Sequence, residues 1–413
     1  MKKLVATAAV AAMLGSAAFA EISFGSWCRS VTVLGNGINE QKDGNDIILA
    51  NTQSWGGTGS RVGLAVNGKN EDETLGFNFE IHSESPEFTS QYVWWAPIEQ
   101  VKLQVGLDAG NDTLRGDACF GMWDLLRIGA VKDGKKFGLG EFGHGSEGWT
   151  FQNQGADGAV LGIFPIEGLK LYASLGMPHT NRTFDDDGEI TSIEKYNAAN
   201  VVGRYSKYAV GYDIEGVGTI KVGLDTTPDR VDVKDGDATK KKDQNIINAA
   251  FDLKAVEGLY VGIGAFIPTV QKIDATETAL GNRVNAYARY NADALTVHAR
   301  VGTVIGTGYK DKDGVGKKDG GFGFLVGGCV EYAVLDGLTV YGQADYANGI
   351  WWNRSEQDNQ DVLDFGVGAK KDFAGGWVSL GFEGATNDNG QFSVYETGKG
   401  FSWAVPLVIN FGL

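Results

Sequence analysis

VEGLYVGIGAF, residues 256–266, reads as a turn followed by a strand. Leu259, Val261, Ile263 and Ala265 alternate along one face, and Tyr260, Gly262, Gly264 and Phe266 along the other, at the period of two that a strand imposes. The second face suits neither a densely packed core nor a hydrated charged surface, because glycine weakens an ordinary strand unless something crowds against it. What borders that face decides the fold.

The phrase recurs. AVLGIFPIEGLKLYASLGMP (159–178), AAFDLKAVEGLYVGIGAFIP (249–268) and CVEYAVLDGLTVYGQADY (329–346) each place an acidic residue and a glycine between two alternating segments. The same hairpin signature pairs SRVGLAV (60–66) with TLGFNFEI (74–81) and QYVWW (91–95) with VKLQVGL (101–107). Lys132-Asp133-Gly134-Lys135 is a turn signal that predicts a further wall hairpin from LLRIGAV and KFGLGEF. The spacing is uneven, so these are recurring hairpins and not a solenoid repeat. Longer polar connections, at 179–197, 225–245 and 307–321, separate the hairpins. Residues 109–126, with LRGDACFGMWDLL, lack clean hairpins and read as a loop that folds inward or as a short helical turn.

Composition narrows the class. The chain has 61 glycines, 7 prolines and 45 Phe, Tyr and Trp among 413 residues, which favours continuous sheet over disorder or helical bundles. MKKLVATAAVAAMLGSAAFA reads as a secretory signal peptide over residues 1–20, leaving 393 residues, 21–413, as one domain. Loss of Lys2 and Lys3 takes the formal charge from -16 to -18, which argues against nucleic acid as a partner. Cys28, Cys119 and Cys329 fit neither a disulfide scaffold nor a zinc pattern.

One face of the segments is apolar throughout: Val62 and Leu64, Phe77 and Phe79, Val101, Leu103, Val105 and Leu107, Leu295 and Val297. The other is wet, with Asn78, Glu80, His82, Lys102, Gln104, His298, Arg300, Gln343 and Asp345. A soluble secreted β-sandwich shows the same alternation with its apolar face inside. Secretion, paired strands, short turns against long loops, and glycine opposite the apolar face favour a closed barrel with its apolar side outward. The fold expected is all-β: a closed antiparallel transmembrane β-barrel of about 16 to 20 strands, with short periplasmic turns and long external loops. Tyr92, Trp94, Trp95, Tyr172, Tyr205, Tyr208, Tyr346, Trp351 and Trp352 are candidates for the membrane interface.

In FSWAVPLVINFGL, residues 401–413, the odd positions from Phe401 to Leu413 share one apolar face. This resembles the closing strand of bacterial outer-membrane barrels, although the final residue is Leu413 and the aromatic, Phe411, comes two positions earlier. The chain from 21 to 413 resembles porin-like outer-membrane proteins in architecture, and its glycine-rich hairpins resemble those of spirochaetal outer-membrane proteins. The resemblance implies an outer-membrane location, passive diffusion of ions and small hydrophilic solutes, insertion into lipid by the barrel-assembly machinery, and a homo-trimer.

No catalytic constellation accompanies His82, His144, His179 and His298; the local triplet His82-Ser83-Glu84 points to alternate faces, and neither enzymatic activity nor a cofactor is expected. Asp185, Asp186 and Asp187 are weak calcium candidates without the spacing of a calcium loop. Selectivity in a wet channel comes from inward charges. The candidates are Arg61, Lys102, Arg127, Arg204, Lys221, Arg289 and Arg300, and Glu80, Asp108, Asp117 and Asp225. The negative total points to cation preference. A surface adhesin, or a structural barrel displaying its acidic loops, is the other reading.

Overall fold

In the computed structural model the described residues are 21–38, 50–52, 61–82, 88–110, 113–114, 130–132, 135–137, 150–151, 155–176, 182–184, 190–193, 201–203, 205–226, 230–235, 238–243, 245–269, 282–310, 316–348, 361–386 and 401–412. The proposed signal peptide, Cys119, Asp117, Arg127, Asp185 to Asp187, Arg204, Trp351 and Trp352 lie outside them, as does the side chain of Arg61.

The alternating segments become long strands: β1 (Glu21–Ile38), β2 (Arg61–Lys69), β3 (Leu75–His82), β4 (Phe88–Ile98), β5 (Val101–Ala109), β6 (Ala156–Ile163), β7 (Leu169–Gly176), β8 (Ser206–Ile214), β9 (Gly218–Asp225), β10 (Ile246–Val256), β11 (Leu259–Pro268), β12 (Asn282–Ala292), β13 (Leu295–Lys310), β14 (Gly316–Leu335), β15 (Leu338–Ala347), β16 (Val362–Phe373), β17 (Gly376–Thr386) and β18 (Phe401–Gly412). Each pairs antiparallel with its neighbours in chain order, and β1 pairs with β18 from Trp27↔Gly412 to Ile38↔Ser402. The result is a closed 18-stranded barrel, with a three-residue strand, Ala50–Thr52, added beside β1. Closure leaves the wall without a free edge.

Every connection from an even-numbered strand to the next is a turn of two to five residues, and these eight turns lie together at one end. Glu257-Gly258 shows the chemistry. Gly258 has φ +73°, and a Cβ there would come 2.4 Å from the carbonyl oxygen of Asn291 in the adjoining hairpin. Among the described residues, three connections at the other end, those after β5, β7 and β9, carry small hairpins of their own. The expected wall hairpin around Asp133-Gly134 is one of these. Its strands, Ala130–Lys132 and Lys135–Phe137, pair only with each other in a separate two-stranded sheet, since three residues are too few to cross the wall.

Burial is inverted relative to a water-soluble protein. Leu64, Val93, Ile263, Val326, Val367 and Leu380 are exposed, whereas Lys221, Asp252, His298, Arg300, Gln343 and Asp345 are buried. The soluble sandwich is thereby overturned: the enclosed face is the polar one. Outward aromatic residues form two rows. Phe324 and Tyr332, Phe365 and Phe373, and Trp403 and Phe411 are each eight positions apart on β14, β16 and β18. Eight residues span about 27 Å of strand, or roughly 20 Å of height at barrel tilt, close to the ~25 Å apolar band of a membrane barrel. Trp95 also faces outward. Tyr92, Trp94 and Tyr172 do not. Period-two parity with exposed Val93 and Trp95 turns the first two inward, and Tyr172 lines an interior cavity.

Candidate functional site

The interior surface carries the charge. On β12 to β15 a polar network runs across four strands. Tyr287 Oη lies 2.8 Å from His298 Nδ1, and His298 Nε2 lies 3.4 Å from a Glu331 carboxylate oxygen. Arg300 Nε donates to Asp345 Oδ1 at 2.9 Å, and Gln343 Nε2 donates to Asp345 Oδ2 at 2.7 Å. Arg300 and Asp345 are 3 % and 1 % exposed, and a buried pair of this kind holds only when both partners are present. Register explains how they meet. Arg300 is opposite Gly327, and Gly327 is opposite Asp345, so the glycine lies between the two charged strands. A Cβ at Gly327 would fall 1.6 Å from Asp345 Oδ1.

On β7 to β11 the lumen is filled from within the chain. The connection that leaves β5 brings Leu114 against β8, where a Cβ at Gly211 would lie 2.6 Å from Leu114 Cδ2. Its far end brings Phe151, fully buried, into a cluster with Ala209 and Ala250, with Leu114 and Tyr172 packed around it. Thr150 lies on the bare strip of β11. A Cβ at Gly264 would sit 1.6 Å from the Thr150 carbonyl oxygen, and one at Gly262 would sit 3.2 Å from Thr150 Cγ2. Of residues 109–126, singled out for inward folding, the described Leu114 enters the barrel, and Thr150 and Phe151, farther along the same connection, enter it as well. Beneath Phe151, Lys221 is paired with Asp252, both about 3 % exposed, with the ammonium 5.8 Å from the Phe151 ring.

A cavity of about 710 Å³ opens beside this pair near the short-turn end. Leu114, Tyr172, Ile214 and Val217 give it apolar walls, and Lys170, Lys254, Asp213 and Thr219 line it with Lys221 and Asp252. Lys170 Nζ meets Asp213 Oδ2 at 2.6 Å, and Thr219 Oγ1 donates to Asp213 Oδ1 at 2.8 Å.

A third group lies on β1 to β5. Glu80 accepts from Trp27 Nε1 at 3.1 Å and lies 2.8 Å from His82 Nε2, while Lys102 Nζ stands 5.1 Å from the Trp94 ring.

Of the charges singled out in the sequence, Glu80, Lys102, Lys221, Asp225, Arg289 and Arg300 have inward register positions. Arg289 lies 6.0 Å from the Tyr260 ring. Asp108 sits at a strand irregularity with φ +54°, its N–H donating to Asp157 Oδ1 at 3.1 Å. The structure does not gather these residues into one ring; it places Arg300, Lys221, and Glu80 with Lys102 in three separate groups. Sequence reading names Lys221 and Arg300 as candidates and sets Asp345 on the wet face without pairing it, and it leaves Asp252 unnamed. Asp252 shares the phase of Asn248 and Ala250, and Asp345 that of Tyr341 and Gln343, so both partners were within reach of the alternation. Among the described residues no group of His, Cys, Asp and Glu is arranged to hold a metal ion.

No family model and no curated protein matches the chain. Solved structures similar to it include a porin. That porin, refined at 1.8 Å, is 14% identical, with 95% of this chain and 100% of that chain covered, at a TM-score of 0.44. OpdO of Pseudomonas aeruginosa is 11% identical over 96% of this chain and 98% of its own, at 0.49. OmpF of Salmonella typhi is 9% identical over 95% and 97%, at 0.47. At such identities and scores the similarity is one of outline only, and the functional reading rests on the geometry of this chain.

Proposed function

We propose that the protein is a passive outer-membrane channel for ions and small hydrophilic solutes. The single observation that carries this is the inverted burial. Lipid is the medium in which a wall with Leu64, Ile263, Val367 and Leu380 outward and Lys221, Asp252, Arg300 and Asp345 enclosed is at its most stable. On this reading residues 1–20 are removed as a signal peptide and 21–413 form one barrel domain, inserted by the barrel-assembly machinery. The homo-trimer belongs to the same reading and is tested by native mass measurement in detergent.

Cation preference is part of the proposal. Seven of the eight short turns carry an exposed acid: Glu71, Asp72 and Glu73 in the first, then Glu99, Glu167, Glu215, Glu257, Asp293 and Asp336. Lys69, Lys254 and Lys371 offset part of this charge at the strand ends, and an excess of acid at a channel mouth raises the local concentration of cations. Glu80, Lys102, Lys221, Asp225, Arg289 and Arg300, together with Arg61 and Asp108, are the residues proposed to tune selectivity further in. Arg127, Arg204 and Asp117 remain proposals by sequence alone.

The test is conductance of the purified protein in planar bilayers under a salt gradient. Stepwise ion flow with a cation-selective reversal potential is expected. A folded, inserted barrel that conducts nothing would instead support a structural or adhesive barrel that displays its loops. The observation favouring that second reading is the packing of Thr150 and Phe151 against β8 to β11, which fills part of the lumen.

A further inference from the structure

We infer that the cavity at the short-turn end is a binding site for a small zwitterion, one ammonium and one carboxylate on an apolar body, that enters the lumen. This rests on the channel reading, because a permeating solute is what reaches the cavity.

Two ion pairs border the cavity, and they differ in what it takes to open them. Lys221 and Asp252 are about 3 % exposed, so separating them strands a charge away from water. Lys170 and Asp213 are 38 % and 40 % exposed, and an ion pair so open to solvent holds its partners weakly. The first pair is a fixed floor; the second is a pair whose ends can exchange partners. A zwitterion satisfies both ends at once, with its carboxylate on Lys170 and its ammonium on Asp213. Thr219 Oγ1, donating to Asp213 Oδ1 at 2.8 Å, holds the carboxylate in place while leaving Oδ2 for the ligand.

The remaining lining agrees. Lys254 adds a third lysine against two aspartates, so the lining as a whole carries one more positive than negative charge. Leu114 and Tyr172 supply an apolar wall for the body of the solute. A simple anion would leave Asp213 without Lys170, and a simple cation would leave Lys170 without Asp213. Either forfeits the interaction that it displaces, which is the physical basis of discrimination.

The experiment uses the full-length protein in detergent and isothermal calorimetry, which needs no conduction. Three probes of similar shape are compared: leucine, 4-methylpentanoate, which lacks the ammonium, and 3-methylbutylamine, which lacks the carboxylate. Leucine is expected to bind about tenfold or more tightly than either analogue. Asp213→Asn and Lys170→Gln, checked for native β content by circular dichroism, are each expected to erase that preference. Equal binding of the three probes by the unaltered protein, absence of leucine binding, or retention of the preference by both variants overturns the site. Discrimination by a protein that conducts nothing in bilayers keeps the site and removes the channel. Conduction without discrimination removes the site alone.

Discussion

The two sides of the lumen use bare backbone in opposite ways. On β7 to β11, Gly264 leaves room for a foreign strip of chain, the Thr150 carbonyl lying where a Cβ would be. On β12 to β15, Gly327 leaves room for the wall's own charges, the Asp345 carboxylate lying where its Cβ would be. One side is packed by an inserted segment with Phe151 at its centre, and the other by an Arg300–Asp345 pair with Gln343, beside Tyr287, His298 and Glu331. The same residue type thus marks two structures: a docking strip for backbone and a recess for an ion pair. Glycine opposite an apolar face is a sign of something close by, and the register decides what.

That contrast can be broken residue by residue. Removing one member of a buried pair should have the largest effect. Asp345→Ala strands Arg300 and is expected to destabilise the barrel by about 3–5 kcal/mol, read from urea unfolding in lipid vesicles. Replacing both partners with apolar residues of similar volume should recover most of that loss. Gly264→Ala comes next. Its Cβ meets the Thr150 backbone, so an overpacking cost of about 1–3 kcal/mol is expected, with the segment released from β11 and bilayer conductance raised. Unchanged conductance with unchanged stability would mean that Thr150 does not lie on that strip. The smallest effect belongs to Lys170→Gln, which opens the half-exposed pair with Asp213. A stability change of at most ~1 kcal/mol is expected in the same unfolding assay, in contrast to Asp252→Ala, which should resemble Asp345→Ala.

Much of the wall was legible in the sequence because period two is a local property. Leu259, Val261 and Ile263 against Tyr260, Gly262 and Gly264 sorted into outward and inward faces without any knowledge of neighbours, and Glu257-Gly258 announced its own turn. Register was not legible, because it depends on which strands meet and how they slide. Lys221 was visible as an inward lysine, but its bond to Asp252 requires β9 beside β10 in a particular alignment. Local signals also misled where length was the deciding quantity. Asp133-Gly134 signals a hairpin, yet the described strands on either side of it are three residues each and pair with each other outside the barrel sheet. Trp94 looked like an interface residue by composition, and its parity with Lys102, not its type, put it inside. The glycines were the most informative residues and the least specific. They showed that crowding exists on the inward face, while Thr150 and Asp345, the groups that crowd them, are 114 and 18 positions away in sequence.

The most direct test of the inside-out wall is Leu380→Arg. Leu380 is 48 % exposed and lies between the outward aromatic rows, opposite Leu407 of β18. If that surface faces lipid, the arginine costs about 2–4 kcal/mol in unfolding from vesicles. A change within about 0.5 kcal/mol, as expected for a water-exposed position, would contradict it.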